Sequence, residues 1–238
     1  MFLNQFIKNK KLFSTCTIIK SKYKPFETDS PTAKLLEASL KHVEQESWTI
    51  NALRRGCIDL DLPEHCHRLA ENGEVDLINY FVRKSTIDMT NEMQKLDLNQ
   101  MRVTQKIRKA CSIRLELLQP YIDTWQDALK VMAKPQNVPA SLLNLSELID
   151  EMWYLAGDRS FDMNWYSKRA LLTGVYTSTE WYMTQDKSPN FVDTYNFLDR
   201  RLQDVGTIGK TASDIKGTAE FFKKTVQGII ESKSGMKF

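Results

Sequence analysis

Apolar residues recur along this chain every three or four positions and almost nowhere every second one. The pattern therefore predicts helices and no sheet. Residues 32–46 place Ala33, Leu36, Leu40 and Val43 on one helical face. Thr49 is an N-cap for a second helix that ends near Gly56, with Trp48 placed to staple onto Leu53. Asp61-Leu62-Pro63 opens a third, short helix, and Asn72-Gly73 closes it. A longer one follows, with Val75, Ile78, Val82, Met89, Met93 and Leu96 on one face. Helix, short helix, turn, short helix, long helix is the order of a helix-turn-helix module feeding a larger helical domain.

The second half continues in kind. Val103, Ile107, Ala110, Arg114 and Leu117 share a stripe that runs into Pro120, and Ile122, Trp125, Leu129 and Met132 form the next. Residues 135–139 read as a loop, after which Pro139 opens a helix through Leu142, Leu145, Ile149, Met152 and Trp153 that Gly157 closes. A loop with Asp158 and Asp162 precedes an aromatic helix over about residues 164–185. Ser188-Pro189 starts another, with Phe191, Tyr195, Leu198, Leu202 and Val205 as its stripe. Residues 206–209, with two glycines, read as a flexible link to a final helix over about 211–232. The expected fold is all-α, a bundle of about nine or ten helices. It divides into a leader at 1–26, the helix-turn-helix module and long connecting helix at 27–97, a helical domain at 98–205, and a linker with its amphipathic helix at 206–238.

Charge changes the picture at both ends of the first module. The formal net charge is +3, but Lys8, Lys10, Lys11, Lys20, Lys22 and Lys24 stand before the first carboxylate, Glu27. Without them the body is net acidic, unlike a general nucleic-acid binder. The acid-free leader, with Phe2, Phe6, Ile7, Leu12 and Phe13, reads either as a mitochondrial transit peptide that lacks the usual arginines or as a basic tail. Between Gly56 and Tyr80, Asp59, Asp61, Glu64, Glu71, Glu74 and Asp76 face only Arg68. Six carboxylates where a helix-turn-helix reader meets phosphates repel DNA. A ligand-responsive transcriptional regulator is thus the second reading of this chain, weakened at its DNA-binding end.

Catalytic chemistry leaves few traces. The three histidines, His42, His65 and His67, lie in one region. Glu64 and His67 make one Glu-x-x-His pair where a di-iron bundle needs two. Cys57, Cys66, His65 and His67 lack zinc-site spacing, and no phosphate-binding glycine loop occurs. The expectation is a non-enzymatic protein without cofactor or metal. The cysteines do not make a disulfide framework.

Eight aromatics crowd the stretch from Met152 to Tyr182: Trp153, Tyr154, Phe161, Trp165, Tyr166, Tyr176, Trp181 and Tyr182. Together with the run that follows to Leu202, this stretch resembles the coenzyme Q (ubiquinone) biosynthesis accessory family of the ninth Coq protein. That resemblance implies a non-catalytic, mitochondrial, lipid-binding protein with the fold of TetR-type repressors. Leu117, Leu118, Ile122, Trp125, Met132, Leu172, Val175, Tyr176 and Tyr182 are candidate walls of a site for isoprenoid quinone intermediates or phospholipids; each either lines such a site or fills the core. The resemblance also implies a patch that docks the di-iron demethoxyubiquinone hydroxylase, at Asp150, Met152, Trp153, Asp162, Trp165, Tyr166 and Arg169. Tyr154-Leu155 stands where relatives carry His-Tyr, and Trp153 and Trp165 are either patch residues or core anchors. In the last helix Ile215, Phe221, Phe222, Val226, Ile229 and Ile230 are apolar, with lysines nearby. It either lies on the matrix side of the inner mitochondrial membrane or packs back on the bundle or a sister subunit. The expected assembly is a homodimer that binds no nucleic acid.

Overall fold

The computed structural model describes residues 30–158 and 163–211, with backbone alone at 163–165 and 206–211. Nine α-helices, joined by short 3-10 turns, run through the described residues, and no strand occurs among them. The leader at 1–26 and the apolar positions of the expected last helix, from Ile215 to Ile230, lie outside the described residues, as does Asp162.

Helix α1 (Pro31–Leu40) begins where the Ser30 hydroxyl accepts the Ala33 N–H at 3.1 Å. The single helix expected over 32–46 is broken at Lys41-His42, because His42 turns its ring to Asp59 at 2.9 Å. One helical turn, α2 (Val43–Glu46), follows. Ser47 then takes a positive φ of 55° and Trp48 folds inward to 2% exposure. Thr49 precedes α3 (Ile50–Asp59), but its hydroxyl donates back to the Glu46 carbonyl at 2.8 Å instead of capping. Helices α1 and α3 meet at Gly56, where a Cβ would lie 2.2 Å from Ser39 Oγ and 2.8 Å from the Ser39 backbone nitrogen. Only glycine permits that approach.

The third expected helix is a 3-10 segment, Glu64–Leu69, opened by Pro63. Beyond Gly73, at φ +63°, runs α4 (Glu74–Gln94). It buries Leu77, Ile78, Phe81, Val82, Met89 and Met93 and touches α1, α5, α6 and α7. It is the spine of the molecule.

Helices α5 (Val103–Leu118), α6 (Ile122–Met132), α7 (Val138–Ala156), α8 (Met163–Met183) and α9 (Val192–Thr211) complete the bundle. Gly157 ends α7 in the left-handed region at φ +91°, its N–H donating to the Tyr154 carbonyl at 3.0 Å. The α8–α9 corner is tied by Asp186, which accepts from the Ser188 N–H (2.7 Å), the Thr194 N–H (2.9 Å) and the Thr194 hydroxyl (2.5 Å). The backbone at 206–209, expected as a flexible link, is helical and continues α9. Each glycine there costs roughly 1 kcal/mol of helix propensity. Propagation from a helix already nucleated offsets that cost.

Candidate functional site

Helices α4 to α8 do not close completely on one another. Between them lies a half-open cavity of about 340 Å³. Its walls come from Val82 of α4, Trp125, Leu129 and Met132 of α6, Leu142, Leu145 and Leu148 of α7, and Trp181 of α8. Val138 and Ala133 close the end near the α6–α7 loop. Apolar lining of this kind, within the size range of small-molecule sites, suits a hydrocarbon or aryl ligand.

Charge is built into this apolar space. Arg114 of α5 and Glu180 of α8 both line it, and Arg114 is only 1% exposed. The Arg114 guanidinium carbon lies 5.5 Å from the centre of the Phe81 ring, a cation–π distance. Glu180 accepts the Tyr176 hydroxyl at 3.0 Å. Burial pushes the Glu180 carboxyl above the usual carboxylate range, while the Arg114 charge and the Tyr176 bond partly hold it back. The Tyr176 phenol is pushed well up by its burial.

Of the residues expected to form a lipid site, Trp125, Met132 and Tyr176 line this cavity. The other six do not. Leu118, Leu172 and Val175 are fully buried in the bundle core, and Leu117 and Ile122 pack at its margin. Tyr182 stacks on Phe197 of α9 at 4.7 Å. They share stripes with lining residues but point into neighbouring helix contacts, a distinction that helical periodicity does not make. Arg114 and Glu180 are not among the expected residues, and the signal for Arg114 is its place in an apolar stripe.

The residues of the expected docking patch divide as well. Met152 is fully buried, and its sulfur lies 3.8 Å from the Cys111 thiol. It therefore lies beneath the expected patch and does not present a surface. Burial raises the Cys111 thiol to about 12, leaving it protonated. Asp150 of α7 and Arg169 of α8 form an ion pair. Trp153 is partly buried, with the Lys168 ammonium 5.8 Å from its ring centre, and Lys168 also pairs with Asp158 at 3.0 Å. Tyr166 is 57% exposed, and so is Tyr154 at 58%, one position beyond the expected set. The Trp165 side chain and Asp162 lie outside the described residues.

At the other end, the segment expected as the short third helix is two turns of 3-10 helix. Asp59, Asp61, Glu64 and Glu71 are exposed there. Asp76 is turned to Asn72, and His67 to the Glu64 carbonyl at 2.7 Å. Among the described residues no three His, Cys, Asp or Glu side chains are grouped to hold a metal ion.

A bundle of α-helices with an apolar cavity between the long ones defines the class of fold, and a solved structure shares it. A TetR transcriptional regulator from Nitrosomonas europaea superposes with a TM-score of 0.59, covering 74% of this chain and 97% of that one. At 16% identity this is a likeness of fold alone. Sequence carries the assignment further. Over 211 residues, 86% of this chain, the ubiquinone biosynthesis protein COQ9, mitochondrial, of Rattus norvegicus is 37% identical and covered over 67% of its length. COQ9-B of Xenopus laevis is 35% identical and covered over 71%, and COQ9 of Homo sapiens 36% and 65%. The chain spans about two thirds of these relatives' lengths. A profile of the COQ9 family matches residues 138–209, from the start of α7 almost to the end of α9. The chain belongs to the COQ9 family of ubiquinone biosynthesis, a non-catalytic family.

Proposed function

We propose that this protein is a lipid-presenting accessory factor of ubiquinone biosynthesis, working on the matrix face of the inner mitochondrial membrane. The observation that carries the reading is the apolar cavity of about 340 Å³ inside a COQ9-family bundle. A quinone intermediate or its isoprenoid tail leaves the bilayer and enters between α6, α7 and α8. Each Å² of tail removed from water stabilises the complex by roughly 25 cal/mol, so a fitted cavity competes with bilayer. Chemistry on the ring belongs to the hydroxylase partner, docked at the α7–α8 surface around Tyr154, Tyr166 and the Asp150–Arg169 pair. Aromatic and arginine side chains suit such an anchor. No helix among the described residues is long and apolar enough to cross a membrane. Membrane contact is assigned to the last helix, through Ile215, Phe221, Phe222, Val226, Ile229 and Ile230. The leader and the mitochondrial relatives support the compartment.

Native mass spectrometry of protein lacking residues 1–26, followed by lipid extraction, tests the reading. An isoprenoid or phospholipid adduct is expected. Protein that is empty as purified, and stays empty when offered lipid, contradicts it. Flotation with anionic liposomes tests the membrane arm. Removing residues 212–238, or Phe222→Glu, should abolish it while the bundle stays folded.

A further inference from the structure

The polar atoms of the cavity are unequally provided for. Asn144 accepts from Arg83 at 3.2 Å and donates to Asn79 at 2.7 Å. Ser141 donates to the Asn137 carbonyl at 3.0 Å, and Thr177 to that of Thr173 at 2.8 Å. The Glu180 carboxylate takes the Tyr176 hydroxyl. Left over are the Nε and Nη1 of Arg114 and the indole Nε1 of Trp125 and of Trp181, buried and without a hydrogen-bond partner. All four are donors, and that of Trp125 has the Glu180 carboxyl as its neighbour. An arginine stays charged in a protein interior and offers no acceptor, and a buried donor left unmade is destabilising. The Phe81 ring face compensates the charge in part, but it satisfies no N–H in the guanidinium plane.

We propose that Arg114 and Trp181 are the head-group site of this cavity, taking the acceptor oxygen of an amphipathic ligand whose hydrocarbon lies against Leu129, Leu142 and Leu145. The inference rests on the lipid-site reading and adds a class of ligand to it. Acceptor oxygens come from the carbonyl of a quinone ring or from a carboxylate. Glu180 lines the same cavity and repels an anion whenever it is ionised, so the neutral carbonyl is favoured. The ligand is then held by its head at the α5–α8 side, and the cavity discriminates among lipids by what they carry at that end.

The test is displacement of Nile red from the full chain by three probes of similar length. They are a benzoquinone bearing a ten-carbon alkyl chain, decanoate, and undecane, which has no head. The parent should bind the quinone at least about tenfold tighter than undecane, with decanoate between them. Arg114→Met should abolish that preference while leaving undecane within about twofold, and Trp181→Phe should reduce the preference about threefold. Tighter binding of decanoate than of quinone keeps the acceptor site but assigns it to a carboxylate. Equal binding of all three probes by the parent overturns the head-group site and leaves a non-selective lipid cavity standing. Binding of none removes both readings. An Arg114→Met protein that melts higher with its preferences unchanged makes Arg114 a structural partner of Phe81 and also overturns the inference. Should that variant not fold, Trp181→Phe carries the decision, because it removes one N–H and keeps the ring.

Discussion

Around Gly56 the N-terminal helices α1 and α3 close to a separation that admits no side chain, whereas α5, α6, α7 and α8 stand apart around about 340 Å³. Charge is distributed in the opposite sense. The N-terminal module carries Asp59, Asp61, Glu64 and Glu71 on its outside, while the cavity region holds Arg114 and Glu180 within. One TetR-like frame thus has a tight end that is acidic on its outside and an open end with polar groups in an apolar interior. The two ends meet at an aromatic cluster. Trp48 packs edge-on to Trp125 at 5.4 Å, and Phe81 lies 5.4 Å from both. Trp125 is at once a wall of the cavity and a neighbour of the N-terminal module.

If tightness at Gly56 is a property of the N-terminal module alone, Gly56→Ala breaks that module and spares the cavity. The added methyl group meets Ser39 backbone as well as its hydroxyl, so a loss of about 3 kcal/mol is expected, the upper end for overpacking. Urea unfolding measures it, and lipid occupancy below the transition should be unchanged. Asp186→Asn is the corresponding lesion at the other end. It loses charge-assisted bonds to Ser188 and Thr194 and should cost about 2 kcal/mol. Those bonds lower the Asp186 carboxyl against its burial. Their stabilisation is therefore present above the ordinary aspartate value of 3.8 and lost as pH falls through the lowered one. The variant should approach the parent in stability at acid pH, as denaturation at several pH values will show.

Tyr166→Lys sharpens the comparison from the surface. At 57% exposure its replacement should leave the melting temperature near that of the parent. Hydroxylase capture should weaken about tenfold, or 1.4 kcal/mol. Unchanged capture removes Tyr166 from the patch. The smallest effect is expected for Glu180→Gln. Burial raises the Glu180 carboxyl, so the folded state holds this proton more firmly than the unfolded chain. Its contribution is full below the ordinary value of 4.5 and fades as pH rises through the raised one. The glutamine variant should lack that decline and gain on the parent as pH rises above 4.5, by about 1.4 kcal/mol for each pKa unit of the shift.

Helices were legible because each stripe repeats every three to four residues, and Gly157 and Pro63 mark an end and a start that the structure keeps. The break at Lys41-His42 was not legible, since it depends on His42 finding Asp59 across the α1–α3 contact. The helical course through Gly206 and Gly209 departs from the flexible link expected there, because propensity at two positions does not outweigh a long helix leading into them. Within the cavity, stripe membership identified Trp125, Met132 and Tyr176 but equally Leu118 and Val175, which face the core. Which side of a buried helix meets empty space is decided by how its neighbours pack. Arg114 is visible on an apolar face in the sequence; that its Nε and Nη1 find no partner there is not.

The central claim is that the space between α6, α7 and α8 holds lipid, and filling that space tests it most directly. Leu145→Trp places an indole in the cavity, where added volume meets little resistance. Parent and variant, purified side by side, should differ in native mass. The parent should carry lipid and the variant be largely empty, with a melting temperature equal or higher. Equal lipid on both, in a variant as well folded as the parent, places the ligand elsewhere and contradicts the account.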